Sequence, residues 1–194
     1  MNKKTVSITA LVAGIITAIV ALFYLIIGIR EFFYFDFNNE AKNNIYYITN
    51  SSELIALGTL LGIFSIFIIK KYFSNDNNKK FMDLPAMIYF AAVVITNFVA
   101  MCFWGFDKSN SWVALIFSVV GFVFLLFVRL EKVSNPTGGI LILIALLIGF
   151  VLTIINLASS SGVGIALNIF VMFMFVAYFL YYLFDMLVDG SLKK

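Results

Sequence analysis

Residues 139–157 form the sequence GILILIALLIGFVLTIINL, which contains no charged side chain. A helix needs about 20 predominantly apolar residues to cross the hydrocarbon core of a bilayer, and this run meets that requirement. Five further runs share its character, so the chain is predicted to be an all-α, polytopic membrane protein. The six predicted spans form one helical bundle and cover residues 6–29, 54–71, 84–106, 112–129, 139–157 and 163–184, approximately.

The overall composition supports the same class. The chain of 194 residues is 63% hydrophobic and only 12% charged, whereas soluble domains carry roughly 25% charged residues. Six spans with short connections use residues 1–194, which are therefore predicted to form a single integral membrane domain. The lipid bilayer is its first predicted partner.

The basic residues predict how the bundle is oriented. Lys and Arg accumulate in the short cytoplasmic loops of membrane proteins. Ten of these residues belong to one side of the predicted topology and three to the other, so both termini are predicted to be cytoplasmic in a cell-membrane protein. The ten are Lys3, Lys4, Lys70, Lys71, Lys79, Lys80, Arg129, Lys132, Lys193 and Lys194, and the three are Arg30, Lys42 and Lys108.

The chain lacks residues that several classes of function require. The chain has no His and one Cys, Cys102, which argues against haem ligation, His-based zinc sites and redox pairs. No phosphate-binding loop or dinucleotide motif is present, and the spans carry no charge away from their ends. We therefore predict no enzyme activity, no cofactor, no metal and no nucleic-acid partner.

The polar residues inside the predicted spans are neutral. Asn97 and Thr96 fall near the middle of the third span, and Asn168 falls in the outer half of the sixth. Such side chains hydrogen-bond between helices or line a small pocket for a neutral solute. Both interpretations stay open, and Asn97 is the first candidate if a pocket exists.

Small residues four apart predict close helix packing. Gly58 and Gly62 form such a pair in the second span, and Gly14 and Ala18 form a weaker one in the first. Small side chains let two helix backbones approach closely in a bilayer. We interpret both pairs as internal packing positions, with dimerisation as the alternative.

The predicted outer loop, residues 30–52, has an unusual concentration of aromatic residues. Rings at this position suit an aromatic belt at headgroup depth, a lid over an outward-facing cavity, or a docking patch for another membrane protein. The candidates for partner or lid contact are Phe32, Phe33, Tyr34, Phe35, Phe37, Tyr46 and Tyr47.

Three functional hypotheses follow. The first is a non-catalytic subunit or accessory of a larger membrane complex for transport, secretion or envelope function, which requires another membrane protein as partner. The second is a binding or permeation protein for a small neutral or apolar solute. In size and number of helices the chain resembles the substrate-binding components of energy-coupling vitamin transporters, although no motif allows residues to be carried across. The third is a protein that protects against a membrane-active toxin.

Overall fold

In the computed structural model the chain is described over residues 3–33, 41–74, 81–105, 109–134, 136–158 and 160–189. The regular elements in these ranges are six α-helices, each long and apolar enough to cross a membrane. This confirms the predicted helical class and the number of spans. The helices are α1 (Lys3–Phe33), α2 (Ala41–Phe73), α3 (Leu84–Trp104), α4 (Ser109–Arg129), α5 (Thr137–Ala158) and α6 (Val163–Val188).

The helices are arranged as a ring. Each helix packs against the next one in the chain, α6 returns to α1, and α3 also touches α5. Successive helices are antiparallel, so the bundle has two ends. We call the end where α1 begins and α6 ends the terminal face, and the end where the α1–α2, α3–α4 and α5–α6 connections lie the hairpin face.

Two buried phenylalanine side chains, Phe90 and Phe175, fill the middle of the bundle. Phe90 of α3 lies against Gly121 of α4, and Phe175 of α6 lies against Gly149 of α5, so that a Cβ at either glycine would overlap a ring. The two ring centroids are 5.9 Å apart, within the range of favourable aromatic pairs. Because Gly121 and Gly149 have no side chain, α4 and α5 leave the space that the two phenyl rings occupy.

A buried hydrogen bond joins the first helix to the last. The hydroxyls of Thr17 on α1 and Tyr178 on α6 are 2.8 Å apart, and both side chains are fully buried. Thr17 Oγ1 also donates to the carbonyl of Ala13 at 2.8 Å, so its oxygen accepts the hydrogen bond from the Tyr178 hydroxyl. This contact helps to close the ring between residues far apart in the sequence.

The first two helices are longer than the rest. They contain 31 and 33 residues, which corresponds to about 46 and 50 Å at 1.5 Å per residue. The other four contain 21 to 26 residues, or about 32 to 39 Å. Since a hydrocarbon core is about 30 Å thick, α1 and α2 extend beyond it.

The surplus length lies where the sequence predicted a loop. Residues 30–33 continue α1 and residues 41–52 belong to α2, so this part of the predicted loop 30–52 is helical. The prediction ended each span where the apolar run ended. A helix continues as long as its backbone groups are paired, which polar side chains do not prevent. We call residues 30–33 and 41–52 the hairpin extension.

Candidate functional site

The hairpin extension exposes large apolar side chains. Phe32 is 54% exposed and Phe33 is 81% exposed, and both lie beyond the charged pair Arg30 and Glu31 at the end of the apolar part of α1. The Asn50 amide donates a hydrogen bond to Glu31 Oε2, which ties the two helices together at this level. The extension is therefore a paired helical structure that presents aromatic residues outward.

The remaining aromatic candidates divide into two groups. On α2, Tyr47 is exposed, together with Ile45 and Ile48 next to it. Tyr34, Phe35 and Phe37 lie outside the described residues, as does the side chain of Tyr46.

Two of the three predicted pocket residues, Asn97 and Asn168, donate hydrogen bonds to residues close to them in the sequence. Asn97 Nδ2 donates to the carbonyl of Val93, one turn earlier on α3. Asn168 Nδ2 donates to Ser160 Oγ at 2.7 Å and to the carbonyl of Gly164 at 3.0 Å. Asn168 therefore holds the segment that leads into α6.

The third residue, Thr96, makes an interhelical contact that the sequence did not predict. Its Oγ1 donates to Glu53 Oε2 on α2 at 3.1 Å. In the described part of the chain no hydrogen bond joins Asn168 to Thr96 or to Asn97. The structure thus pairs Thr96 with a carboxylate and does not join the three candidates in one hydrogen-bonded set.

The sequence predicts that Glu53 lies at the interfacial end of the second span, because an apolar run begins directly after it. In the structure it lies inside α2, half-buried, within the membrane-capable stretch Tyr47–Phe73. The interior position of Glu53 could have been predicted only if residues 41–52 had been recognised as helical. The pairing with Thr96 depends on how α2 and α3 are rotated, which local sequence does not report.

A buried polar cluster lies between α3 and α5. The Tyr89 hydroxyl shares hydrogen bonds with the side chains of Thr153 and Asn156, and Tyr89 is only 2% exposed. The hydroxyls of Ser51 and Ser118 are also buried, and neither has a hydrogen-bond partner among the described residues. Buried polar groups usually do have partners, so these two are exceptions.

An ion pair closes the terminal face between α3 and α4. Arg129 Nη1 donates to Asp83 Oδ1 at 2.9 Å and to Oδ2 at 3.0 Å. Asp83 lies just before the membrane-capable part of α3 and is 9% exposed. Burial raises the pKa of the Asp83 carboxyl above its usual range, and the hydrogen bonds and charge of Arg129 oppose that rise.

The predicted small-residue positions lie mainly in the contact between α1 and α2. A Cβ on Gly58 would approach the carbonyl oxygen of Ala21 to 2.8 Å, whereas a Cβ on Gly62 would lie 3.8 Å from the Ala21 Cβ. Gly14 is also close to α2, at 3.0 Å on the same measure. Ala18 is half-buried on α1. The two helices thus approach most closely at Gly58 and at Gly28 of α1, where a Cβ would lie 2.9 Å from Ile55 Cγ1.

Comparisons with known proteins assign no relative. No protein-family model matches the chain, and no curated protein and no solved structure is significantly similar to it. Within the described residues, no group of three or more His, Cys, Asp or Glu side chains is arranged to hold a metal ion. A functional interpretation therefore depends on the surfaces and side-chain contacts described above.

Proposed function

We propose that this protein is a non-catalytic component of a membrane complex and that it binds another integral membrane protein through the hairpin extension. The observation that carries the proposal is the exposure of Phe32 and Phe33 beyond the apolar part of α1. In this proposal Phe32 and Phe33, at the end of the membrane-capable stretch Lys4–Phe33, lie beyond the hydrocarbon core. Apolar side chains there gain free energy when another surface covers them. A protein partner at the hairpin face supplies that cover.

The centre of the bundle supports a scaffold role. Phe90, Phe175 and Tyr178 are fully buried, and the first two lie against glycines on neighbouring helices. A close-packed core limits the motion of the surrounding helices, and a fixed surface binds a partner at a lower entropic cost than a mobile one. In this proposal the six-helix ring supports the hairpin extension.

The proposal includes a cellular location and an orientation in the membrane. It assigns the protein to the cell membrane with both termini in the cytoplasm, on the basis of ten Lys and Arg residues on the terminal side and three on the other. The partner contact then lies on the outer side of the membrane. In this proposal the complex serves transport, secretion or envelope function.

Site-specific photo-crosslinking in cells tests the proposal. A photoreactive residue at Phe33 is expected to give one discrete protein adduct, identified by mass spectrometry. Two matched positions serve as controls. Phe73 is 75% exposed at the opposite end of α2, and Leu22 is 58% exposed in the middle of α1. Neither is expected to give that adduct.

A double variant provides the complementary measurement. Phe32→Ala with Phe33→Ala is expected to lose the co-purifying partner while the thermal stability of the purified bundle stays the same. Adducts with lipid alone from position 33 would contradict the proposal and would indicate an aromatic belt at the membrane interface.

A second function is favoured by a separate observation. The cluster of Tyr89, Thr153 and Asn156 gives the interior of the bundle hydrogen-bonding groups, and so does the Ser118 hydroxyl, which has no partner among the described residues. A binding protein for a small neutral solute needs such groups. Thermal-shift screening with such solutes tests this alternative. A stabilisation that Tyr89→Phe or Asn97→Leu abolishes would favour solute binding over the subunit role.

A further inference from the structure

Glu53 is a carboxylate that the surrounding helices only partly compensate. It is half-buried at the contact between α2 and α3, and its Oε2 accepts one hydrogen bond, from Thr96 Oγ1. A carboxylate has about four acceptor positions on its two oxygens. Oε1 accepts no hydrogen bond from the described residues, so acceptor capacity remains.

Glu53 also lacks a cation, in contrast to the other buried carboxylate. Asp83 has the Arg129 guanidinium at 2.9 Å, whereas no Lys or Arg in the described ranges forms an ion pair with Glu53. Removing an ionised carboxylate from water is costly unless a charge or hydrogen bonds replace the water. An external cation at Glu53 would supply that replacement.

The position of Glu53 along α2 indicates its depth. Lys70 is 17 residues further along the same helix, which corresponds to about 26 Å. The hydrocarbon core is about 30 Å thick. If Lys70 lies at the headgroups of one leaflet, Glu53 therefore lies near the headgroups of the other.

Glu53 is only half-buried, so part of its side chain is accessible. The contact between α2 and α3 is the least extensive among helices that are neighbours in the chain, over the described residues. Thr96 holds Oε2 on the α3 side, which leaves Oε1 as the acceptor for a ligand. A ligand from the headgroup layer can approach there without separating the helices.

We propose that Glu53 and Thr96 form a binding site for a primary ammonium group at the hairpin end of the α2–α3 seam. An ammonium has a positive charge and three N–H donors, which match the charge and the remaining acceptor capacity of Glu53. Two sources carry this chemistry, the headgroup of an aminophospholipid and a soluble amine. The site does not depend on the proposed partner contact, since it uses neither Phe32 nor Phe33.

The test uses the full-length protein in nanodiscs of phosphatidylcholine, with and without phosphatidylethanolamine, and measures retained lipid by native mass spectrometry together with the Tm. Phosphatidylethanolamine is expected to be retained and to raise the Tm of the wild-type protein. Glu53→Gln is expected to weaken retention about fivefold, the effect of losing one ion pair worth about 1 kcal/mol. Glu31→Gln, a carboxylate change on the same face, is expected to leave retention unchanged.

Soluble ethanolamine, added to nanodiscs of phosphatidylcholine alone, distinguishes the two sources. A saturable rise in Tm that Glu53→Gln abolishes assigns the site to a soluble amine. A response to phosphatidylethanolamine without a response to ethanolamine assigns it to the lipid headgroup. Either result supports an ammonium site.

A lipid series on the wild-type protein avoids the risk that a variant misfolds. Stepwise N-methylation of the phosphatidylethanolamine headgroup replaces its N–H donors one at a time while the positive charge stays. Retention is expected to fall at each step. Equal retention across the series, or equal behaviour of the wild-type protein and Glu53→Gln, overturns the proposal, and the photo-crosslinking result at Phe33 is unaffected by that outcome.

Discussion

Helix α3 has two neighbours in the chain, and it contacts them in different ways. Against α4 it inserts the Phe90 ring at Gly121 and forms the ion pair between Asp83 and Arg129. Against α2 its described polar contact is the hydrogen bond from Thr96 to Glu53. The first seam combines shape with paired charge, and the second leaves the Glu53 carboxylate without a cation among the residues that the structure describes.

This difference separates two uses of a carboxylate in a membrane protein. Asp83 is buried and paired, so its contribution is to hold α3 against α4. Glu53 is half-buried and incompletely paired, so its removal is expected to change stability little and ligand binding more. Variants along the two seams test whether this division holds.

The largest loss of stability is expected from filling the space beside Gly121 on α4, which the Phe90 ring occupies. Gly121→Leu puts a side chain where the Phe90 ring lies, and overpacking of this kind costs about 1–3 kcal/mol or more. Reversible unfolding in mixed detergent micelles measures the loss. Val119→Leu, on the exposed side of the same helix, is the control and is expected to be neutral. Equal stability of the two variants would mean that α3 and α4 can separate without cost.

Removal of Arg129 is expected to have the next largest effect. Arg129→Met leaves the Asp83 carboxylate buried without its cation. Breaking a buried pair costs about 3–5 kcal/mol, and we expect about 2 kcal/mol here because the Arg129 side chain is 36% exposed. Lys132→Met, which removes an exposed charge on the same face, is expected to cost less than about 0.5 kcal/mol.

The same variant predicts a pH dependence with a defined sign. Burial raises the pKa of Asp83 in the folded state, and Arg129 opposes the rise, so Arg129→Met raises that pKa further. A folded-state pKa above the unfolded value gives stability that is present at low pH and lost as the pH rises through the folded pKa. Arg129→Met is therefore expected to be more stable near pH 4 than near pH 7, by a wider margin than the wild-type protein. Adding Asp83→Asn should remove this difference, and its persistence would assign the effect to another group.

The seam between α1 and α2 allows a matched test with two glycines. A Cβ on Gly58 meets the Ala21 carbonyl oxygen at 2.8 Å, whereas a Cβ on Gly62 is in ordinary contact at 3.8 Å. Gly58→Ala is expected to cost about 1–2 kcal/mol through separation of the helices. Gly62→Ala is expected to be neutral or to stabilise by up to about 1 kcal/mol, because Ala favours a helix more than Gly does. The reverse order would show that Gly62, and not Gly58, is the point of closest approach.

The sequence was sufficient for the number of helices because each span leaves an apolar run of the required length. The end of α4, predicted at residue 129, and the start of α3, predicted at residue 84, agree with the structure. The interpretation of residues 41–52 as part of a loop was wrong, because polarity marks where a helix leaves the apolar phase, not where its hydrogen bonding ends. The amino acids that form the Asp83–Arg129 and Glu53–Thr96 pairs are 46 and 43 positions apart. Their contacts follow from the rotation of packed helices, which no local pattern contains.

The smallest loss of stability is expected at the seam between α2 and α3. Thr96→Val keeps the shape of the side chain and removes the hydrogen bond to Glu53, and interhelical hydrogen bonds of this kind average about 0.6 kcal/mol in membrane proteins. The control is Thr59→Val on α2, where the hydroxyl bonds to the carbonyl of Ile55 in its own helix. A loss above about 2 kcal/mol for Thr96→Val, measured in the same unfolding assay, would place it with the Arg129 variant. Glu53 would then hold α2 against α3 as Asp83 holds α4, and its carboxylate would have little capacity left for an ammonium ligand.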